Sequence, residues 1–152
     1  MAALTEEQSL IRDQAKSWAT SESPVTKFRK LRDEKVANAF WPEQWQSMIE
    51  MGWTGILVPE EHGGSDLGYL TFGLILEELG RQLTASPLLA SGLIGASALR
   101  LGGSADQQGE YLPKIVDGSA VFALAVDEGP RHDPEKISLD AAKDGNGFKL
   151  SG

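Results

Sequence analysis

Two histidines, a pair of adjacent glutamates and a cluster of glycines are the first places in this sequence to look for chemistry. His62 and His132 are the only imidazoles in 152 residues. A metal site needs further ligands at helix or turn spacing, and neither histidine has a helically spaced carboxylate or second histidine beside it. Both read as surface or turn residues. Glu77 and Glu78 have the composition of an acid/base pair, but adjacent positions on a helix point about 100° apart, which favours a structural role near a helix end. Gly63, Gly64 and Gly68 lack the spacing and the strand-to-helix setting that a Rossmann or P-loop phosphate cradle requires. The chain has no cysteine, which removes thiolate zinc sites, cysteine nucleophiles and disulfides, and fits a reducing compartment.

The bulk properties narrow the class further. The chain is 41% hydrophobic and 24% charged, a globular balance rather than a disordered one. Its formal net charge of -8 argues against non-specific nucleic-acid binding and against docking on anionic lipid. The most apolar stretch, near Leu88 to Leu101, is broken by Ser91 and Ser97 and is too short to span a bilayer. The opening residues are acidic and carry no signal-peptide pattern. The expectation is a soluble, cytoplasmic protein with no membrane or nucleic-acid partner.

The elements that would position any site are mostly helices. Thr5 and Gln8 have capping-box spacing, and Leu4, Ile11, Ala15, Trp18 and Ala19 follow at helical intervals as far as about Ser21, before Pro24. Lys27, Arg29, Lys30, Arg32 and Lys35 surround Phe28 and Leu31 and read as a solvated helix face. Pro42 suits a first helical turn and Gly52 a helix end, with Trp45, Met48 and Ile49 as the apolar stripe. A glycine-rich turn at 60–64 precedes Leu67 to Gly80, which is apolar nearly all round and reads as a buried helix. Ser86-Pro87 starts a further helix running to Leu101, whose Gly92, Gly95, Ala96 and Ala98 make a thin face that lets a neighbour or a ligand approach closely. Ser104 and Gln107 repeat the capping box for a last helix towards Gly118.

After Gly118 the period changes from helical to alternating. Residues 121–126 read as a short buried strand, and Ile137, Leu139 and Ala141 alternate with polar residues as a half-exposed strand. Asp144-Gly145-Asn146-Gly147 is a hairpin turn that leads to a return strand from Phe148. So few strands cannot bury a sheet face alone: either they lie on the helical body or further chain completes their domain, and the second is the expectation. From the residues alone the chain is mainly α, a helical domain over 1–118 joined to the start of a β domain over 119–152. No reaction is named by these features.

Four strings in order carry a resemblance. They are residues 52–64, 74–81, 106–115 and 118–124, running from Gly52-Trp53-Thr54-Gly55 through Leu74-Ile75-Leu76-Glu77 and Asp106-Gln107-Gln108-Gly109 to Gly118-Ser119-Ala120-Val121. Taken together, and over essentially the whole chain, they resemble the acyl-CoA dehydrogenase family. The resemblance implies an N-terminal helical bundle domain followed by the first strands of a middle β-barrel domain. It also implies FAD as cofactor and α,β-desaturation of acyl-CoA thioesters. In this chemistry a glutamate removes the α proton and the flavin accepts hydride from the β carbon. An electron-transfer flavoprotein reoxidises the cofactor, and the proteins form homo- or hetero-oligomers. The helical part would close one side of the acyl pocket and keep water from the flavin.

By the same resemblance, Ser86, Leu89, Ala90 and Leu93 are the candidates for the acyl-chain wall, and Phe122, Leu124 and Ala125 lie on the strand that meets the flavin ring. The family's catalytic glutamate has no counterpart here, so no catalytic residue is assigned. Where many members follow that strand with Thr-Glu-Pro and then Gly-Ser-Asp, this chain has Ala125-Val126-Asp127-Glu128-Gly129-Pro130-Arg131-His132-Asp133-Pro134, and no hydroxyl side chain occurs between Ser119 and Ser138. Flavin contact from this piece would therefore come from backbone groups, and the 152 residues by themselves are expected to hold neither FAD nor activity. The alternative is a non-catalytic dehydrogenase-like module or subunit that pairs with a catalytic partner; an unrelated helical domain with a hairpin tail is a third reading.

Overall fold

The computed structural model describes residues 3–152. Both expected capping boxes are present. Helix α1 (Glu6–Glu22) opens with Gln8 N donating to Thr5 Oγ1 and Thr5 N donating to Gln8 Oε1, each at 3.1 Å. Two of the first turn's free donors are thereby satisfied. The stripe Ala15, Trp18 and Ala19 is buried, and α1 lies along α4 (Gly68–Arg81). Trp18 meets Trp53 edge to face at 5.3 Å between ring centroids, and its indole N–H donates to Ser47 Oγ at 2.8 Å. A buried donor left without that acceptor would cost about 1–3 kcal/mol.

Helix α2 (Val25–Glu34) turns Leu31 inward and leaves Arg29, Lys30 and Arg32 in solvent, the expected solvated face. Helix α3 (Pro42–Glu50) has its proline in the first turn and buries Gln44, Trp45 and Met48. A 3₁₀ turn (Trp53–Gly55) follows, and residues 53–58 are all buried. This tight loop is pinned from outside: Thr54 Oγ1 donates to Val116 O at 2.7 Å, and the Arg100 guanidinium reaches both Leu57 O and, at 2.9 Å, the Asp66 carboxylate. Helix α4 is buried on one face only, through Thr71, Phe72, Leu74, Ile75, Glu78 and Leu79, whereas Tyr69 and Leu70 are more than half exposed. Glu77 and Glu78 both pair with Arg81 one turn on, which is a structural use of the two carboxylates.

The helix expected from Pro87 to Leu101 is present, but its first half is wound differently. Leu89–Gly95 is π-helical and passes without a break into α5 (Ala96–Gly102); the Ala96 N–H reaches back five residues to Ser91 O. Helix α6 (Ala105–Val116) begins at the second capping box, Gln107 N donating to Ser104 Oγ at 3.2 Å.

The chain leaves α6 through Gly118, whose φ is +71°. A Cβ built there would lie 2.1 Å from Ile49 Cδ1, so the position combines a left-handed backbone with a close approach to α3, and only glycine meets both demands. Asp117 caps the exit by accepting from Ser119 N at 2.8 Å, and Ala120 N donates to Lys114 O at 3.1 Å. The hydrogen bonds from Ser119 hold the Asp117 carboxyl below its ordinary range.

The strand readings need two corrections. Residues 121–126 form no strand, and all but Phe122 are exposed. An apolar run becomes a buried strand only when another strand pairs with it and another layer covers it, and among the described residues neither does. The second strand begins later than its alternation suggested: β1 (Asp140–Asp144) pairs antiparallel with β2 (Gly147–Ser151), with Ala142 opposite Lys149. The delay has a local cause. Ser138 N and Leu139 N donate to the Glu128 carboxylate, at 2.6 and 2.9 Å, so these amides are held by the loop and not by the ladder. The Gly145-Asn146 turn is as expected, with the positive φ (+59°) on the first central residue, the type II′ arrangement. Among the described residues no helix is long and apolar enough to cross a membrane, and no group of three or more potential metal ligands occurs.

Two outcomes test this account. Gly118→Ala is expected to lower stability by about 2–4 kcal/mol, from left-handed strain and overpacking on Ile49. Gly109→Ala, inside α6 with open space around it, should stabilise by about 0.5–1 kcal/mol; urea denaturation of both reads the contrast, and equal effects would contradict it. The second concerns Glu128, whose carboxyl is held below its ordinary value first by the Ser138 side-chain hydrogen bond and then by the Ser138 and Leu139 amides. A depressed folded value means that the loop's ordering is intact above the ordinary carboxylate range and is lost as pH falls through the depressed value. The Ser138 and Leu139 amide resonances should therefore shift only below that range, and Glu128→Gln should abolish the transition; a midpoint at or above the ordinary value would refute it.

Candidate functional site

Helices α5 and α6 diverge from their capped junction and leave a groove that residues 122–124 border on the third side. It has a volume of about 430 Å³. Of the thin face read from the sequence, Gly95 and Ala98 line the groove with Leu99 beside them, whereas Gly92 packs on Phe72 and Ala96 lies in the core; α6 contributes Gln107 and Tyr111. Phe122 and Leu124 supply the remaining side. No carboxylate or imidazole lines this groove among the described residues, so it can enclose an apolar or planar group but offers no side-chain base.

Phe122 is the residue that fixes the third side. Its N–H donates to Ser91 Oγ at 2.8 Å, and the same hydroxyl lies 3.4 Å from Phe122 O, where it donates. The ring packs edge-on against Tyr111 at 5.9 Å and 85°. Gly95 lies so close that an added Cβ would sit 2.8 Å from Phe122 Cβ. Ser91 itself is fully buried. Sequence reading missed Ser91 as a site residue, because the search for hydroxyls ran along the segment itself and this one arrives from 31 residues earlier. The available signal was a serine inside an otherwise apolar helix, where an unpartnered hydroxyl would be costly.

The other candidates fall in different places. Leu124 is 60% exposed and Ala125 is exposed, and no hydrogen bond among the described residues engages the backbone groups of 123–126. On the helix, Leu89 is half exposed, Ala90 is half-buried, and Leu93 packs against the core. Ser86 Oγ accepts weakly from Leu88 N at 3.4 Å, so it acts as a loose cap for the π-helical turn. These four do not share the groove with Phe122 and Leu124; the wall nearest that pair is built one to two turns later, from Gly95 to Leu99. What lies beside the groove suits one face of a flat aromatic ring: apolar side chains, thin helix backbone and free amide groups. The π winding is itself notable at this point, since such turns concentrate at functional sites.

Comparison with known proteins agrees with this architecture. The family model for the acyl-CoA dehydrogenase N-terminal domain matches residues 5–119. The mitochondrial isovaleryl-CoA dehydrogenase of Pongo abelii is 35% identical over 121 residues, covering 72% of this chain and 27% of that protein. Among solved structures, the Tcur3481-Tcur3483 steroid ACAD variant superposes with a TM-score of 0.85 at 30% identity, over 97% of this chain and 40% of that one. The ChsE4-ChsE5 complex from Mycobacterium tuberculosis gives a TM-score of 0.83 at 27% identity, over 100% and 40%. The chain thus spans well under half the length of these relatives, and its mainly helical body followed by a short antiparallel sheet matches their N-terminal fold. The chain belongs to the acyl-CoA dehydrogenase family.

Proposed function

We infer that this sequence is the front part of a flavin-dependent acyl-CoA dehydrogenase, with residues 1–118 as its helical domain and 119–152 as the opening of its middle β domain. The observation that carries this reading is the groove between α5, α6 and residues 122–124, walled by thin helical backbone at Gly95 and Ala98 and bordered by a segment whose amides beyond Phe122 carry no hydrogen bond among the described residues. FAD, when bound, would supply the two-electron chemistry that desaturates an acyl-CoA between its α and β carbons. The chain's own share is physical. Leu124 and Ala125 would present apolar surface and free amides to the ring, and the helical body would exclude water from it. Ser86, Leu89 and Ala90, on the outer side of the π-helical turn, would form part of the acyl-chain wall, with Leu93 backing them from the core. No residue here acts as the base.

Partners follow from the same reading: an acyl-CoA thioester, an electron-transfer flavoprotein, and further copies or a related subunit. Pairing with a related subunit is supported by the two-protein names of two structural neighbours. The lack of cysteine suits a cytoplasmic compartment.

The test is the natural-length protein that carries this sequence. Purified, it is expected to show oxidised-flavin absorption and to bleach anaerobically on addition of an acyl-CoA from a series of graded chain length. The 152-residue chain alone should show neither. A natural-length protein without flavin that also fails to turn over when mixed with any co-purifying subunit would overturn the reading.

A further inference from the structure

The geometry points to Ser91 as a positioning residue, whose hydroxyl fixes residues 122–125 on the helical body and so sets which backbone groups they offer to the flavin. This rests on the reading given under Proposed function. Three observations carry it. First, one side-chain oxygen meets both backbone groups of Phe122, accepting from N–H at 2.8 Å and donating towards C=O at 3.4 Å. A hydroxyl has one proton and two lone pairs, so it can do both at once. It therefore does for Phe122 what a neighbouring strand would do. Second, Ser91 is fully buried and lies within the π-helical turn. With no water to replace it, loss of the hydroxyl leaves a buried N–H unpaired. Third, the Phe122 side chain is independently seated, against Gly95 on one side and Tyr111 on the other. Backbone and side chain are thus held by different groups.

With both groups of Phe122 turned to Ser91, the backbone groups of 123–126 that follow are engaged by no hydrogen bond among the described residues. The hydroxyls that many family members carry after this strand are absent here, so orientation of the backbone is what remains for this segment to contribute. Ser91 governs that orientation from outside it.

The experiment uses the natural-length protein with and without FAD, as wild type and Ser91→Ala. Hydrogen exchange is read by mass spectrometry on peptides spanning 119–126, with peptides from α1 as internal reference. Flavin affinity and the shape of the visible flavin band are measured on the same samples. The expected result is exchange about tenfold faster or more at 119–126, unchanged exchange in α1, and flavin affinity reduced by about tenfold, each the fold-change of one lost hydrogen bond. If Ser91→Ala does not fold, Ser91→Cys carries the test, since the thiol is close in size and bonds only weakly. Unchanged exchange at 119–126 would overturn the proposal. So would acceleration spread equally through α1, which marks a merely structural role, or faster local exchange with unaltered flavin affinity and band shape. If the wild-type protein binds no flavin, the function reading fails first, the positioning of flavin falls with it, and exchange alone then shows whether Ser91 holds the segment.

Discussion

A chain that leaves a helical body in an extended form carries backbone donors and acceptors that no helix satisfies, and each one buried without a partner costs on the order of 1–3 kcal/mol. The stretch from Val116 to Phe122 is where this protein meets that constraint. Val116 O takes the Thr54 hydroxyl, Lys114 O takes Ala120 N, the Asp117 carboxylate takes Ser119 N, and Ser91 answers both groups of Phe122. Four separate parts of the fold contribute: the 3₁₀ turn, the last turn of α6, the exit residue itself and the π-helical turn. Gly118 makes the bend sterically possible against Ile49. The exit is therefore a built feature, and the groove exists because the exit holds its third side in place.

This explains why some of the structure could be read from the sequence and some could not. Thr5 with Gln8, and Ser104 with Gln107, were legible because a capping box is closed within four residues and needs nothing distant. The solvated face of α2 and the structural use of Glu77 and Glu78 near a helix end are local in the same sense. The end of the last helix just before Gly118 was legible as a change of period. Residues 121–126 were misread because an apolar run reports what the side chains avoid, whereas a strand is defined by its partner. Ile137 to Leu139 alternate correctly, yet the amides of Ser138 and Leu139 are claimed by Glu128 from ten and eleven residues back, a competition invisible in the alternation. The π winding of Leu89–Gly95 leaves no mark in the apolar pattern, and Leu89 is half exposed while the groove wall forms further along. Ser91 was hidden for the same reason as the missing partner strand: the contact spans 31 residues.

The departures from the family pattern acquire a physical meaning here. Asp127 and Glu128, within the stretch from Ser119 to Ser138 that holds no hydroxyl side chain, are both turned to local work. Asp127 accepts from Asp133 N and faces His132 at 3.1 Å, and Glu128 gathers Ser138 and Leu139. The carboxylates organise the 127–139 loop and leave the backbone of 123–126 without hydrogen-bond partners among the described residues.

The account's central claim is that the segment seated by Phe122 is the one that meets the flavin. A crystal structure of the natural-length protein loaded with FAD measures this directly. The account predicts the isoalloxazine ring in van der Waals contact, within about 4 Å, of residues 123–126, with Phe122 still bonded to Ser91. A ring lodged elsewhere, with 123–126 buried against protein alone, would contradict it.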